Sequence, residues 1–278
     1  MDLRALLAGT EPTPEAPIVV ATGAGMSVAS GIPTFRGPEG YWTVGSEVYH
    51  PQDMATHAAF EAMPEEVWRW YLYRRHVCNR AAPNVGHRVV AALEQAFGDG
   101  FACVTQNVDG LHVRGGCSRE RVFEVHGSID MMRDLGTGER VPIPDGVEIP
   151  ERDTPMSPEI WDQLVNPATG NRCRPHVLWF DEFYDEENFR IESALGVSSC
   201  AQLMIVVGTS GAARAPYLCL EACWQGGGAI VDIGPEDNPF RTAAQRAATH
   251  GRGAWFEGTA VEGIAIVAEA LGLDQREA

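Results

Sequence analysis

The stretch Ala16–Thr22, APIVVAT, is a short apolar run that halts at Gly23, and the pattern recurs along the chain. A run that is apolar without alternation fits a strand buried on both faces, as in parallel sheets. Phe101–Thr105, Arg121–Val125, His176–Phe180, Gln202–Val207, Ala229–Ile233 and Ala254–Phe256 read as further strands. Helical patterns separate them. Pro64–Cys78 has apolar residues at 67, 70, 71 and 77 and no glycine, and Gly86–Phe97 stops at Gly98. Val261, Ile264, Ala268 and Leu271 step at helical spacing. Residues 1–15 read as a short helix with a Pro-rich lead-in, and Val28 to Ile32 as a turn or short helix. Strands alternating with helices imply an open α/β sheet.

Residues 128–172 differ. GTGERVPIPDGVEIPERDTPMSPEI is rich in Pro, Gly and charge, with one short helix expected at Pro158–Leu164. At 278 residues the chain exceeds the size at which single cores usually stop growing. The expected division is a Rossmann-like domain of residues 1–37, 81–127 and 174–278, with helices on both sheet faces. Residues 38–80 and 128–173 would form a smaller inserted lobe.

Apolar residues make up 45% and charged residues 21%, a soluble globular composition. The net charge of -17 disfavours generic binding to nucleic acid or anionic membrane. It suits cationic, lysine-bearing partners, and equally it keeps a protein soluble. Seven cysteines without even spacing, mostly in apolar runs around Cys103 and Cys200, read as buried free thiols of a reducing compartment. The N-terminus lacks a secretory pattern, and no apolar run approaches the ~18 residues of a membrane span. A cytoplasmic location is expected; the oligomeric state is left open.

The first strand runs into Gly23-Ala24-Gly25-Met26-Ser27. Such a turn lets backbone N–H groups approach a pyrophosphate. Alone it is also an ordinary tight turn, because Ala29 and Ser30 interrupt the full G-x-G-x-x-G pattern. The longer stretch Gly23–Gly37, GAGMSVASGIPTFRG, closely resembles the NAD-binding signature of sirtuins. Thr105–His112 (TQNVDGLH) resembles their second signature and Val125-His126-Gly127-Ser128 the third. Arg174–Phe180 (RPHVLWF) resembles the substrate-strand motif, and Gly208-Thr209-Ser210 a late nucleotide-contact motif. All five stand in family order.

The resemblance implies an NAD-dependent protein-lysine deacylase that passes an acetyl, succinyl or malonyl group to ADP-ribose and releases nicotinamide. NAD would be the cofactor, and an acyl-lysine protein or peptide the partner. Gly23, Ala24, Gly25, Gly208, Thr209 and Ser210 would surround the phosphates and adenosine. Gln106 would contact the ribose, and Asn107 and Asp109 would line the nicotinamide pocket. Ile32 and Phe35 would be its apolar walls, with Arg36 on a closing loop. His126 would be the general base that activates a ribose hydroxyl; an imidazole of ordinary pKa ~6.5 suits that work. Taken alone, His126 reads as a hydrogen-bonded histidine at a strand end. His87 and His112 read as structural. His176 either touches substrate backbone or orders a loop.

Val177–Phe180, with Trp179 and Phe180, would supply an edge strand for an extended peptide, though HVLWF also fits a core strand. Tyr71 and Arg74 share a helical face and resemble the class III pair that accepts acidic acyl groups. Without that frame they read as an aromatic core stripe with solvated arginines. The family's paired Cys-x-x-Cys zinc motifs have no counterpart between His126 and Arg174, where only Cys173 stands. No structural zinc is expected, and Ile160, Trp161 and Leu164 would hold the lobe. Asp181 replaces a family glycine and would bring negative charge near the acyl group. Arg214 and Gly234 depart from the family on the adenosine side. The same scaffold also admits a mono-ADP-ribosyltransferase, an NAD glycohydrolase or a non-catalytic NAD-binding module.

Overall fold

The computed structural model describes residues 3–8, 10–34, 42–44 and 47–273. The expected sites Phe35 and Arg36 lie outside them. The strands are β1 (Ile18–Thr22), β2 (Trp42–Val44), β3 (Glu47–Tyr49), β4 (Phe101–Thr105), β5 (Val122–Glu124), β6 (Gly127–Asp134), β7 (Arg140–Pro142), β8 (Cys173–Val177), β9 (Leu203–Val207), β10 (Ala229–Gly234) and β11 (Gly253–Glu257). The helices are α1 (Leu3–Leu7), α2 (Pro51–Met54), α3 (His57–Ala62), α4 (Pro64–Arg80), α5 (Val85–Phe97), α6 (Leu111–Arg114), α7 (Pro158–Asp162), α8 (Glu186–Phe189), α9 (Ile191–Cys200), α10 (Arg214–Gln225), α11 (Pro239–Ala248) and α12 (Ala260–Ala270). A 3₁₀ turn covers Ala24–Ser30, earlier than the turn expected at Val28 to Ile32.

Six strands form a parallel sheet in the order β11-β10-β9-β1-β4-β5. Alternate residues of its central strands feed two separate cores. Ile18, Val20, Cys103, Ile205 and Val231 pack with α1, α5 and α12 on one face. Val19, Ala21, Ala102, Val104 and Met204 pack with α9, α10 and α11 on the other. Both faces are covered, so β1, β4 and β9 are buried along their whole lengths. That is why these strands read as unbroken apolar runs.

The order of the sheet reverses at β1. The chain goes from β1 to β4 on one side and later returns to β9 on the other. The carboxyl ends of β1 and β9 therefore border a crevice, the usual ligand position in such sheets.

The second body has its own core, in which Met54, Phe60, Trp68, Leu72, Met132, Ile149, Leu164 and Trp179 are buried. Leu164 is fully buried, whereas Ile160 and Trp161 pack only at its margin. A three-stranded antiparallel sheet, β7-β6-β8, backs it. Two expectations need correction here. Residues 128–172 are not loop-rich throughout, since β6 is a continuous strand into which Ser, Asp and Arg break the apolar pattern. The strand expected at His176–Phe180 is β8, Cys173–Val177, and it ends where the other began. Beyond it, Leu178 N donates to the His126 carbonyl at 3.0 Å and Phe180 N to the Ala55 carbonyl at 2.9 Å. The first bond is the last rung of the β6–β8 pairing, and the second ties the chain to the end of α2. The boundary drawn at 173/174 thus falls inside β8.

Asp134 ties the lobe's far end. Its carboxylate accepts from Gly136 N (2.7 Å), Thr137 N (2.9 Å) and Asn171 Nδ2 (3.0 Å) on one oxygen, and from Thr169 Oγ1 (2.6 Å) and Asn166 Nδ2 (2.9 Å) on the other. Five donors on a buried carboxylate join the end of β6 to the hairpin leading into β8.

Candidate active site

The crevice floor is made of glycines in near contact. A Cβ on Gly25 would stand 2.8 Å from the Gly208 Cα, and Gly208 has φ +62, a left-handed conformation that disfavours side chains. Gly25 N donates to the Gly208 carbonyl at 2.8 Å. The loops after β1 and β9 therefore meet backbone to backbone, which brings Gly23, Ala24 and Gly25 beside Gly208, Thr209 and Ser210. Gln106 Nε2 joins them by donating to Thr209 Oγ1 at 3.0 Å.

Next to Gln106, the loop after β4 carries Asn107 and Asp109, both buried. Asn107 Nδ2 donates to the Gly23 carbonyl (3.0 Å) and to Ser27 Oγ (3.2 Å). Ser27 Oγ donates in turn to Asp109 Oδ2 at 2.7 Å, and Asp109 Oδ1 accepts from Leu111 N at 2.9 Å. Ser27 thus couples the two expected pocket residues. Sequence reasoning did not assign it, although a hydroxyl two residues past Gly25 was the available signal. Ile32 is buried and packs with Leu111 and Val108 in the lobe core.

His126 lies in the two-residue link between β5 and β6. Its Nδ1 lies 3.1 Å from the Gln106 carbonyl and its Nε2 lies 2.9 Å from the Tyr184 hydroxyl. It stands beside the Asn107–Asp109 loop because Gln106 is the shared link. Burial pushes the imidazole pKa down to about 4, with the Gln106 carbonyl opposing that shift, so the ring is neutral at physiological pH. Tyr184 is a second residue that the sequence motifs did not reveal.

His87 and His112 lie behind the site, edge to face at 5.0 Å. His87 Nδ1 accepts from Asn84 N at the start of α5, and His112 Nε2 lies 2.8 Å from Thr22 Oγ1. Burial lowers both, to about 4 and about 3. His176 is buried and stacks on Phe189 of α8 at 5.6 Å.

At the lobe side, Trp179 is buried and its Nε1 donates to Tyr71 Oη at 3.0 Å. Burial raises the Tyr71 phenol pKa, against the Trp179 bond and the positive charges of Arg174 and Arg74. Arg74 lies over the Trp70 ring at 5.4 Å. The neighbouring Arg75 is committed elsewhere, to Asp130 Oδ1 at 2.9 Å and the Val147 carbonyl at 2.8 Å. Asp181 accepts from His57 N (2.8 Å) and Ala58 N (3.2 Å), so its carboxylate is directed at the start of α3. Val177 is buried at the end of β8, while Phe180 is 56% exposed. Arg214 is exposed at the first turn of α10, and the Gly234 carbonyl accepts from Arg241 Nη2 at 2.6 Å.

Among the described residues, no group of three or more His, Cys, Asp or Glu is placed to hold a metal ion. No helix among them is long and apolar enough to cross a membrane.

Residues 23–215 match the Sir2 family. A protein of Leptospira interrogans named NAD-dependent protein deacylase is 36% identical over 81% of this chain and 84% of its own length. One of Thermus thermophilus with the same name is 35% identical over 94% of this chain and 92% of its own. A Sir2 homologue solved in complex with NAD is 31% identical with a TM-score of 0.75, covering 97% of this chain and 94% of that one. A Sir2 homologue bound to 2'-O-acetyl ADP ribose is equally similar, at 31% and 0.75 over 99% of each chain. The chain belongs to the Sir2 family.

Proposed function

We propose that the chain is an NAD-dependent protein-lysine deacylase. The observation that carries this is the convergence at one crevice of a glycine cradle, the Asn107–Ser27–Asp109 network and a neutral imidazole, His126. The cradle fits a dinucleotide: a Cβ on Gly23 or Gly25 would overlap Gly208 and Thr209, so the two loops can meet at the crevice with bare backbone only because no side chain stands there. Gly23, Ala24, Gly25, Gly208, Thr209 and Ser210 would hold the phosphates and adenosine, and Gln106 the ribose. Bound NAD supplies an activated sugar carbon that accepts the acyl oxygen as nicotinamide departs.

The chain's own groups do the rest. Ser27 and the Gly23 carbonyl hold the Asn107 amide, while Ser27 and Leu111 N hold the Asp109 carboxylate, so neither reorganises to meet a carboxamide. His126 remains unprotonated at neutral pH and accepts a proton from a hydroxyl brought to its Nε2. A non-catalytic NAD-binding module would have no use for a neutral imidazole fixed beside that network. An extended peptide is the natural partner, because β8 is an edge strand and the exposed Phe180 follows it.

The lobe shapes the acyl preference. Tyr71 and Arg74 on α4 favour acidic acyl groups such as succinyl, and two observations support this. The Arg74 charge acts on the Tyr71 phenol, and the Asp181 carboxylate is turned to His57 N and Ala58 N at the start of α3. The Asp134 network that ties the lobe's far end supports a lobe that needs no zinc. A cytoplasmic location fits seven free thiols, six of them buried and only Cys200 exposed.

Incubation with NAD and acetyl-, malonyl- or succinyl-lysine peptides, followed by mass spectrometry, tests the reading. Nicotinamide and O-acyl-ADP-ribose should form together. Nicotinamide without acyl-ADP-ribose would instead indicate a glycohydrolase or, with modified protein, an ADP-ribosyltransferase.

A further inference from the structure

His126 is held on both ring nitrogens. A carbonyl oxygen can only accept, so the proton lies on Nδ1 and points to the Gln106 carbonyl. Nε2 then carries the lone pair, and the Tyr184 hydroxyl at 2.9 Å must be the donor. The two rings stack at 5.9 Å and 29°. The phenol lies near Ala215 in the first turn of α10, and that helix follows the Gly208–Ser210 loop.

A base whose lone pair is occupied cannot accept another proton. We propose that Tyr184 is a positioning residue that latches His126 in the free enzyme: it fixes the Nδ1–H tautomer, covers Nε2, and yields that nitrogen to a substrate hydroxyl on binding. The inference rests on reading His126 as the base. No charged side chain contributes to the His126 shift, which comes from burial and the Gln106 carbonyl. From α10, Cys219 is the titratable neighbour of the phenol. Tyr184 connects to the acyl end as well, because segment 179–184 begins at Trp179, the partner of Tyr71.

Tyr184→Phe keeps the stacked ring and removes the donor. NMR titration of the His126 imidazole in the free protein needs no turnover, so it reports on the latch even if deacylation is not found. The hydroxyl favours the neutral ring, so its loss should raise the midpoint, by about half a pH unit or more. The acid limb of kcat/KM should move the same way. Above it, kcat/KM should rise about twofold or more, because a ground-state contact no longer has to open. An unmoved midpoint overturns the latch. So does a plateau at or below the wild-type value, and a tenfold fall in kcat would route the proton through the phenol instead. Should the variant fold poorly, the wild-type protein supplies the test: ADP-ribose with a deacylated lysine peptide should shift the Tyr184 Cζ signal, and an unchanged signal overturns the latch.

Discussion

The two bodies of this molecule achieve order by different physics. The parallel sheet is buried on both faces, and its stability is the removal of Val, Ile, Leu and Met side chains from water. The lobe has a core on one side of its three-stranded sheet and ends in a polar knot on Asp134. The sheet is covered on both faces, whereas the far end of the lobe depends on a few directed hydrogen bonds. In the proposed reading the site spans the two, with the cradle and His126 on the sheet and Tyr71, Arg74 and Trp179 on the lobe.

Replacing Ile205, buried at the sheet centre, with Ala should cost about 2–5 kcal/mol and lower the single melting transition of the whole chain. A loss confined to the lobe would break the contrast. Arg74→Met should reduce kcat/KM for a succinyl peptide about 10- to 100-fold more than for an acetyl peptide, the worth of a charge-assisted pair. Equal losses would remove the lobe from acyl selection. Asp134→Ala should speed amide exchange in β6 and β8 by about tenfold or more while β1 and β9 remain protected.

Acid should separate the bodies more gently. His87 and His112 are neutral in the fold, at about 4 and about 3, against 6.5 unfolded. Their contribution is fully present above pH 6.5 and is lost as the pH falls from there through the folded values. Asp134 is held below the usual carboxylate range, chiefly by the Thr169 hydroxyl, so its contribution persists until the pH drops below 3.8. Hydrogen exchange near pH 5 should therefore show α5 and α6, which carry these two imidazoles, loosening before the Asp134 end of the lobe, with His176 in β8, lowered by burial to about 4, weakening the opposite end of the lobe sheet over the same range. The reverse order would contradict these assignments.

The same contrast explains what could be read from the sequence. Strands such as Leu203–Val207 are apolar on every residue, so both their presence and their parallel pairing were legible. Gly127–Asp134 was not, because its Ser, Asp and Arg residues obscure the alternation of a half-covered strand. The end of β8 falls where its pairing with β6 runs out at His126 and the Ala55 carbonyl takes Phe180 N, partners that no local pattern reveals. The site's motif residues were legible, but their couplers were not. Ser27 and Tyr184 act through partners far along the chain. The knot left a trace: Asp134 with Thr137, and Asn166 with Thr169, are two polar pairs at the three-residue spacing that paired cysteines use around a metal.

His126→Ala tests the central claim most directly, with O-acyl-ADP-ribose formation and NAD affinity measured on the same preparation. Loss of the positioned base should slow product formation about 10²- to 10⁴-fold. NAD affinity should stay close to wild type, because the cradle and the Asn107–Ser27–Asp109 network are untouched. Product formation at the wild-type rate would contradict the account.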